Sequence, residues 1–338
     1  MDKLTLSAEA SRSDRAGRFK TSSVSILAWV GLAVAAMVIA LSSAPPASAA
    51  DRGTVYENRR MPSRILGKDV RYTVYLPPKY DVSNRKYPVV YLLHGGWGGG
   101  NEDWFRHGGV THFLDTMIAS GEFPPMIAVT PEGRRDEADE HYTYYMNDAD
   151  GGYRWKDMFH EEFIQHVEGT YRVIGGKSAR HAIGLSMGGY AAVAYAFQDP
   201  ELFAGVAVLS GAFRTDRQIQ YLDQVGYDRR YGKAWGMGLE GKDRLNAQYR
   251  ANSVFELLKS YEPSPERPTK FYFDCGSDDV FFAGNAFLHI AMRHRGIKHR
   301  FQIREGRHEW PYWRMTVPDA LRFVADTFRD ETSTEAGH

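Results

Sequence analysis

The sequence predicts an α/β fold with a mainly parallel central sheet flanked by helices on both faces. Three observations carry the prediction. Apolar runs alternate along the chain with segments whose apolar spacing is near 3.6 residues. Residues 89–93 are apolar without interruption, as in a strand buried on both faces. A glycine-flanked turn at Ser186 joins the apolar run 181–183 to the small, helix-competent run 190–197.

In chain order, residues 70–76 alternate polar and apolar positions and stop at Pro77-Pro78, the pattern of an edge strand. Residues 89–93 form a central strand, and 126–130, 182–185, 205–209, 271–273 and 301–303 read as further strands. Helical spacing covers 110–119, 155–171, 190–197, 285–295 and 317–328. The stretch 212–269 breaks the alternation: it is polar, rich in Tyr, Arg and Gly, and closes on Pro263, Pro265 and Pro268. It reads as an insertion that lies over the active site and shapes its pocket, the alternative being a surface excursion without substrate contact. No internal repeat is present. One domain is expected over residues 50–330, followed by a disordered tail at 331–338.

The first 49 residues read as an export signal. Arg12, Arg15, Arg18 and Lys20 precede the apolar run 24–41, and Ala47-Ser48-Ala49 offers a small-x-small cleavage pattern before Ala50. The expected protein is secreted, to the extracellular space or the cell envelope. The run of about 18 residues also approaches the length of a spanning helix, so a retained anchor is the alternative; Pro45 and Pro46 before the cleavage pattern favour removal. The segment carries 5 basic and 3 acidic side chains, leaving 37 basic against 39 acidic in the remainder. Such a balance gives no reason to expect nucleic acid or an anionic membrane as partner. The one cysteine, Cys275, excludes an internal disulfide and reads as a small core residue.

Ser186 stands in Gly184-Leu185-Ser186-Met187-Gly188-Gly189, the G-x-S-x-G pattern in its strand-to-helix setting. A sharp turn there strains the serine backbone and lifts its hydroxyl clear of the sheet. The following helix aims its N-terminal amides at the same point, where they favour developing negative charge. A serine hydroxyl needs a base to take its proton and an acid to orient that base, in the chain order Ser, Asp or Glu, His. His308 meets the requirement, in Glu305-Gly306-Arg307-His308 before the aromatic cluster Trp310-Pro311-Tyr312-Trp313, which can wedge an imidazole. His289, His294 and His299 fall in or beside a helix and read as solvated. For the acid, Asp274 belongs to a strand end, whereas Asp278 and Asp279 lie in the loop beyond it and spacing does not separate them. One oxyanion donor is the amide of Met187. The other comes from the glycine loop His94-Gly95-Gly96-Trp97-Gly98-Gly99-Gly100, with Gly96 or Trp97 as donor and His94 pinning the loop.

Taken together, His94-Gly95-Gly96, the elbow 184–190, Cys275-Gly276-Ser277-Asp278-Asp279 and Gly306 to Trp313 resemble the esterase family related to esterase D. That family includes S-formylglutathione hydrolases, feruloyl and acetylxylan esterases, enterochelin esterases and mycolyltransferases. The resemblance spans about residues 70–328 and implies the α/β-hydrolase fold. The family carries its acid at the last position of Gly-x-x-Asp, which maps to Asp279. Mycolyltransferases typically hold other small residues at the places of Gly188 and Gly189, so the resemblance favours hydrolysis over transfer to a sugar.

These readings give three functions in competition. The first is a secreted serine esterase acting on a small-molecule or carbohydrate-linked ester through Ser186, His308 and Asp279, with Met187 and Gly96 as oxyanion hole. The second is an acyltransferase that passes the same acyl group to a sugar or glycerol hydroxyl. The third is a non-catalytic binding module on the hydrolase fold. No metal or organic cofactor is implied, since no H-E-x-x-H or comparable ligand spacing occurs. Tyr142, Tyr144, Tyr145, Trp155, Trp235 and Tyr249 could line an aromatic pocket or pack in the core.

Overall fold

The apolar run Val89–Leu93 (β3) offers solvent no polar face, and it takes a central place in an eight-stranded sheet in the order β1-β2-β4-β3-β5-β6-β7-β8. The computed structural model describes residues 52–335. β1 (Thr54–Ser63) and β2 (Lys68–Leu76) pair antiparallel, and β2 pairs antiparallel with β4 (Ile127–Pro131). From β4 onward every pairing is parallel: β3, β5 (Arg180–Leu185), β6 (Gly205–Leu209), β7 (Lys270–Gly276) and β8 (Arg300–Arg304).

Because side chains alternate along a strand, the parallel strands feed two cores. Tyr91, Leu93, Val208 and Phe273 pack to one side, against α2, which runs Trp155–Met158 and Ile164–Thr170 around a π-helical turn at Phe159–Phe163, and against α3 (Met187–Gln198) and α4 (Phe282–His294). Val90, Leu92, Ile183 and Leu209 pack to the other, against α1 (Val110–Ala119) and α5 (Trp310–Glu335). Each buried side chain of this size contributes about 1.5–3 kcal/mol of transfer free energy. Parallel pairing also brings the carboxyl ends of β3, β5, β7 and β8 to one edge of the sheet, where ligand chemistry concentrates in such folds.

The structure departs from the sequence reading in three places. β2 is not an edge strand, because β1 covers it. β1 itself is exposed over most of its length and bulged between Tyr56 and Arg59, so it has no apolar alternation to betray it. The last helix runs through Glu335, past Asp330 and into the stretch expected to be a tail. The export signal lies outside the described residues.

Close approach explains the elbow glycines. A Cβ on Gly188 would stand 2.1 Å from the Leu93 carbonyl oxygen, where α3 crosses β3. Gly188→Ala is therefore expected to cost about 1–3 kcal/mol or more. Gly169, in α2 with nothing near its would-be Cβ, is the control: Gly169→Ala should be neutral or stabilising by roughly 0.5–1 kcal/mol. Thermal melts of the two variants check the pair.

Candidate active site

Ser186 occupies the turn between β5 and α3 at φ 52° and ψ −116°, a region that costs a residue with a Cβ about 1–3 kcal/mol. The turn is locked on both sides. Its amide donates to the carbonyl of Leu209 at 3.0 Å, and its carbonyl accepts from the amide of Ala212 at 2.9 Å. The loops after β7 and β8 are cross-bonded, with the Ser277 amide donating to Arg304 O at 2.8 Å and the Asp278 amide to Gly306 O at 3.0 Å. That contact brings Asp279 and His308 together. His308 Nδ1 stands 3.0 and 2.9 Å from the two carboxylate oxygens of Asp279, and Nε2 stands 2.8 Å from Ser186 Oγ.

Asp279 is buried, and its Oδ1 also accepts the amide of Phe281 at 2.8 Å. Phe281 and Trp313 hold the imidazole between edge-on ring contacts, each at 4.9 Å. Trp313 belongs to the expected aromatic wedge. Phe281 does not, because nothing local in the sequence ties it to a histidine beyond the next strand. The other two acids have different work. Asp278 is exposed. Asp274 is buried at the end of β7, where Tyr272 OH donates to it at 2.9 Å and Tyr312 and Arg304 also bond it. Burial pushes its carboxyl above the usual carboxylate range despite those partners.

The glycine loop after β3 faces the elbow. His94 is buried beneath it, its Nδ1 2.6 Å from the carbonyl of Gly95 and its Nε2 2.8 Å from the amide nitrogen of Gly133 and 3.5 Å from the carboxylate of Glu132, so both ring nitrogens are engaged. Asp139, not singled out from sequence, holds the far end by accepting the Gly98 amide at 2.9 Å. Gly96 and Met187 are neighbours across the site: a Cβ on Gly96 would lie 3.7 Å from Met187 Sδ. Met187 opens α3, so its amide has no intrahelical acceptor. Trp97, the alternative donor, holds a left-handed φ of 65° and is largely exposed.

These groups line one cavity of about 710 Å³ that contains Ser186, Met187, Gly96 and His308. Of the six aromatic residues weighed from sequence, Tyr142 and Tyr144 reach it. The other four are structural: Tyr145 donates to His94 O at 2.8 Å, Trp155 to Glu132 O at 3.1 Å and Tyr249 to Asp216 at 2.6 Å, while Trp235 stacks on Tyr231 at 4.0 Å. Trp97, Phe281, Trp310 and Trp313 take their place in the lining. The insertion contributes Arg214 and Arg230 to the wall and otherwise folds into short helices whose buried side chains, Trp235, Tyr249 and Leu258 among them, join the core on the α3 side of the sheet. Burial works against the charge of Arg214, yet the oxygens of Tyr231 and Tyr144 hold its pKa above the usual value.

Cys275 is buried and its thiol is pushed up by burial, which makes it a poor nucleophile. His289 and His299 bond one another at 2.7 Å, away from the cavity, His289 stacking on Phe301 and His299 meeting Phe273 edge-on. Among the described residues no group of three or more His, Cys, Asp or Glu could hold a metal ion, and no helix is long and apolar enough to cross a membrane.

A family model described as "Putative esterase" matches residues 63–324. Esterase MT1326 of Mycobacterium tuberculosis (strain CDC 1551 / Oshkosh) is 26% identical over 284 residues, which cover 79% of this chain and 57% of that protein. The chain thus spans little more than half the length of that relative. Acetyl esterase of Caldicellulosiruptor saccharolyticus is 23% identical over 78% of this chain and 95% of its own. Among solved structures, a ferulic acid esterase superposes with a TM-score of 0.67 at 28% identity, covering 82% of this chain and 99% of the other. The S-formylglutathione hydrolase of Staphylococcus aureus, at 0.63 and 17% over 81% and 98%, shares the fold. That fold is the α/β-hydrolase fold, as the resemblance implied.

Proposed function

The chain belongs to the esterase family, and from that premise we propose that it is an exported serine hydrolase of carboxylic esters. The observation that carries the reading is the continuous hydrogen-bonded chain from Ser186 Oγ through both nitrogens of His308 to Asp279, opening on a ligand-sized cavity.

Ser186 Oγ attacks the ester carbonyl carbon while His308 Nε2 takes its proton. Asp279 holds Nδ1–H, fixes the tautomer and stabilises the imidazolium without taking the proton itself. The amides of Met187 and Gly96 receive the oxyanion of the tetrahedral intermediate. Collapse expels the alcohol, which takes the proton from His308 and leaves the acyl group on Ser186. Water then attacks the acyl carbon as His308 takes its proton, and collapse breaks the Ser186 Oγ–carbon bond, releases the acid and returns the proton from His308 to Oγ. The basic leader, the apolar run 24–41 and the pattern before Ala50 support export to the extracellular space or the cell envelope.

Product analysis tests the reaction. With p-nitrophenyl butyrate, p-nitrophenol and free butyrate should accumulate in equal amounts, with the acyl group trapped on Ser186 in rapidly quenched samples. Transfer of butyryl to added glycerol or trehalose in preference to water would make the protein an acyltransferase. Absence of both products would leave a binding module.

A further inference from the structure

We propose that the ester cleaved in this cavity carries a carboxylate, and that Arg214 is the residue that receives it; the proposal rests on the hydrolase reading of the Ser186 site. Other buried or partly buried arginines have an oxygen that neutralises or seats them: Arg134 meets Glu132 at 3.0 Å, Arg135 meets Asp148 at 2.6 Å and Arg180 meets Glu168 at 2.7 Å, while Arg244, Arg229 and Arg230 donate to backbone carbonyls. Arg214 is also half-buried, yet among the described residues it has no ion pair. Asp103 and Glu309 line the same cavity without reaching ion-pair distance of it.

The orientation of the guanidinium is fixed. Nη1 donates to Tyr231 OH at 2.8 Å and to Tyr144 OH at 3.4 Å, and the plane sits 4.5 Å from the centre of the Phe281 ring. Both tyrosines are buried. This leaves Nε and Nη2, the two donors on one edge of the group. Neither has an acceptor among the described residues, and neither is sealed in the protein as Arg229 Nε and Arg135 Nε are. Two parallel N–H groups on one edge match the two oxygens of a carboxylate, a geometry that lysine does not reproduce. Arg230, whose Nη1 donates to Gly226 O at 3.0 Å, adds a second cation to the same wall.

The position suits selectivity. Phe281 carries Arg214 on its face and meets His308 edge-on, so one aromatic ring separates the free guanidinium edge from the base. Arg214 and Ser186 line the same cavity, so a carboxylate bound there can belong to the ester whose carbonyl Ser186 attacks. Both sides of the ester could present it, as a hemiester of a short dicarboxylic acid or as an acid on the alcohol.

The test compares matched esters on the purified protein, Arg214→Gln and Arg214→Lys. The acyl-side pair is p-nitrophenyl hemiglutarate against p-nitrophenyl butyrate; the alcohol-side pair is 3-acetoxybenzoate against phenyl acetate. In one pair kcat/KM should favour the carboxylate ester by about ten- to a hundredfold, the range of a charged bidentate contact. That ratio should collapse toward one in Arg214→Gln and fall part of the way in Arg214→Lys. Ratios near one in both pairs, or a preference that survives Arg214→Gln, would overturn the proposal. Should Arg214→Gln not fold, the ratio in Arg214→Lys decides. Should the protein cleave none of these esters, the hydrolase reading is at fault. Calorimetric titration of Ser186→Ala with hemiglutarate and 3-acetoxybenzoate then decides the Arg214 question alone: binding of one of them that weakens at least tenfold on adding Arg214→Gln supports it, and equal or absent binding of both overturns it.

Discussion

Ser186→Ala is expected to lower kcat on p-nitrophenyl acetate and butyrate by about 10⁴–10⁶-fold, since the serine and its base act as a unit and removing one disables both. Binding should survive. The cavity wall is made by other side chains, and the proposed oxyanion donors, the amides of Met187 and Gly96, belong to the backbone. Stability should change little, because alanine keeps the Cβ and hence the strain of the φ 52° turn, while losing one hydrogen bond to His308. Ser186→Gly separates these effects. It is equally inactive but accepts the positive φ without penalty, so it should melt above Ser186→Ala. Parallel initial-rate and thermal-melt measurements on the three proteins check both statements. A Ser186→Ala rate within tenfold of the parent would remove the nucleophile from the proposed reaction.

Local sequence carried much of this site because its parts are local. The elbow glycines, the His94 loop and the Gly306–His308 turn are each set by a few adjacent residues at the end of a strand. What the sequence could not supply are contacts between distant segments. Phe281 touches His308 because the loops after β7 and β8 are cross-bonded, and Arg214 reaches the cavity because the chain turns back over Ser186 after β6. Neither carries a spacing signal. The aromatic residues were ambiguous for the same reason: Tyr144 and Tyr145 are neighbours in sequence, yet one lines the cavity and the other bonds the carbonyl of His94 from inside the core. β1 escaped because a strand exposed on most of its length has no hydrophobic period.

The choice between Asp278 and Asp279 is where spacing fell silent, and paired amide substitutions give it an experimental answer. Asp279→Asn is expected to lower kcat by about 10⁴-fold, and Asp278→Asn to leave it within about threefold. The difference lies in one tautomer. The Phe281 amide donates to Oδ1 of Asp279, so an asparagine there keeps its carbonyl oxygen at that place and turns its NH₂ toward His308 Nδ1, where Oδ2 had stood at 2.9 Å. Nδ1 must then accept, the ring proton moves to Nε2, and the nitrogen facing Ser186 Oγ can no longer take the serine's proton. Packing between Phe281 and Trp313 would keep the ring in place, so binding and melting temperature should stay near the parent while turnover collapses. Asp278 offers no such lever, being exposed and tied to the site through its backbone amide on Gly306. Steady-state kinetics on p-nitrophenyl butyrate with the three proteins decide it; a collapse in Asp278→Asn with Asp279→Asn intact would reverse the assignment.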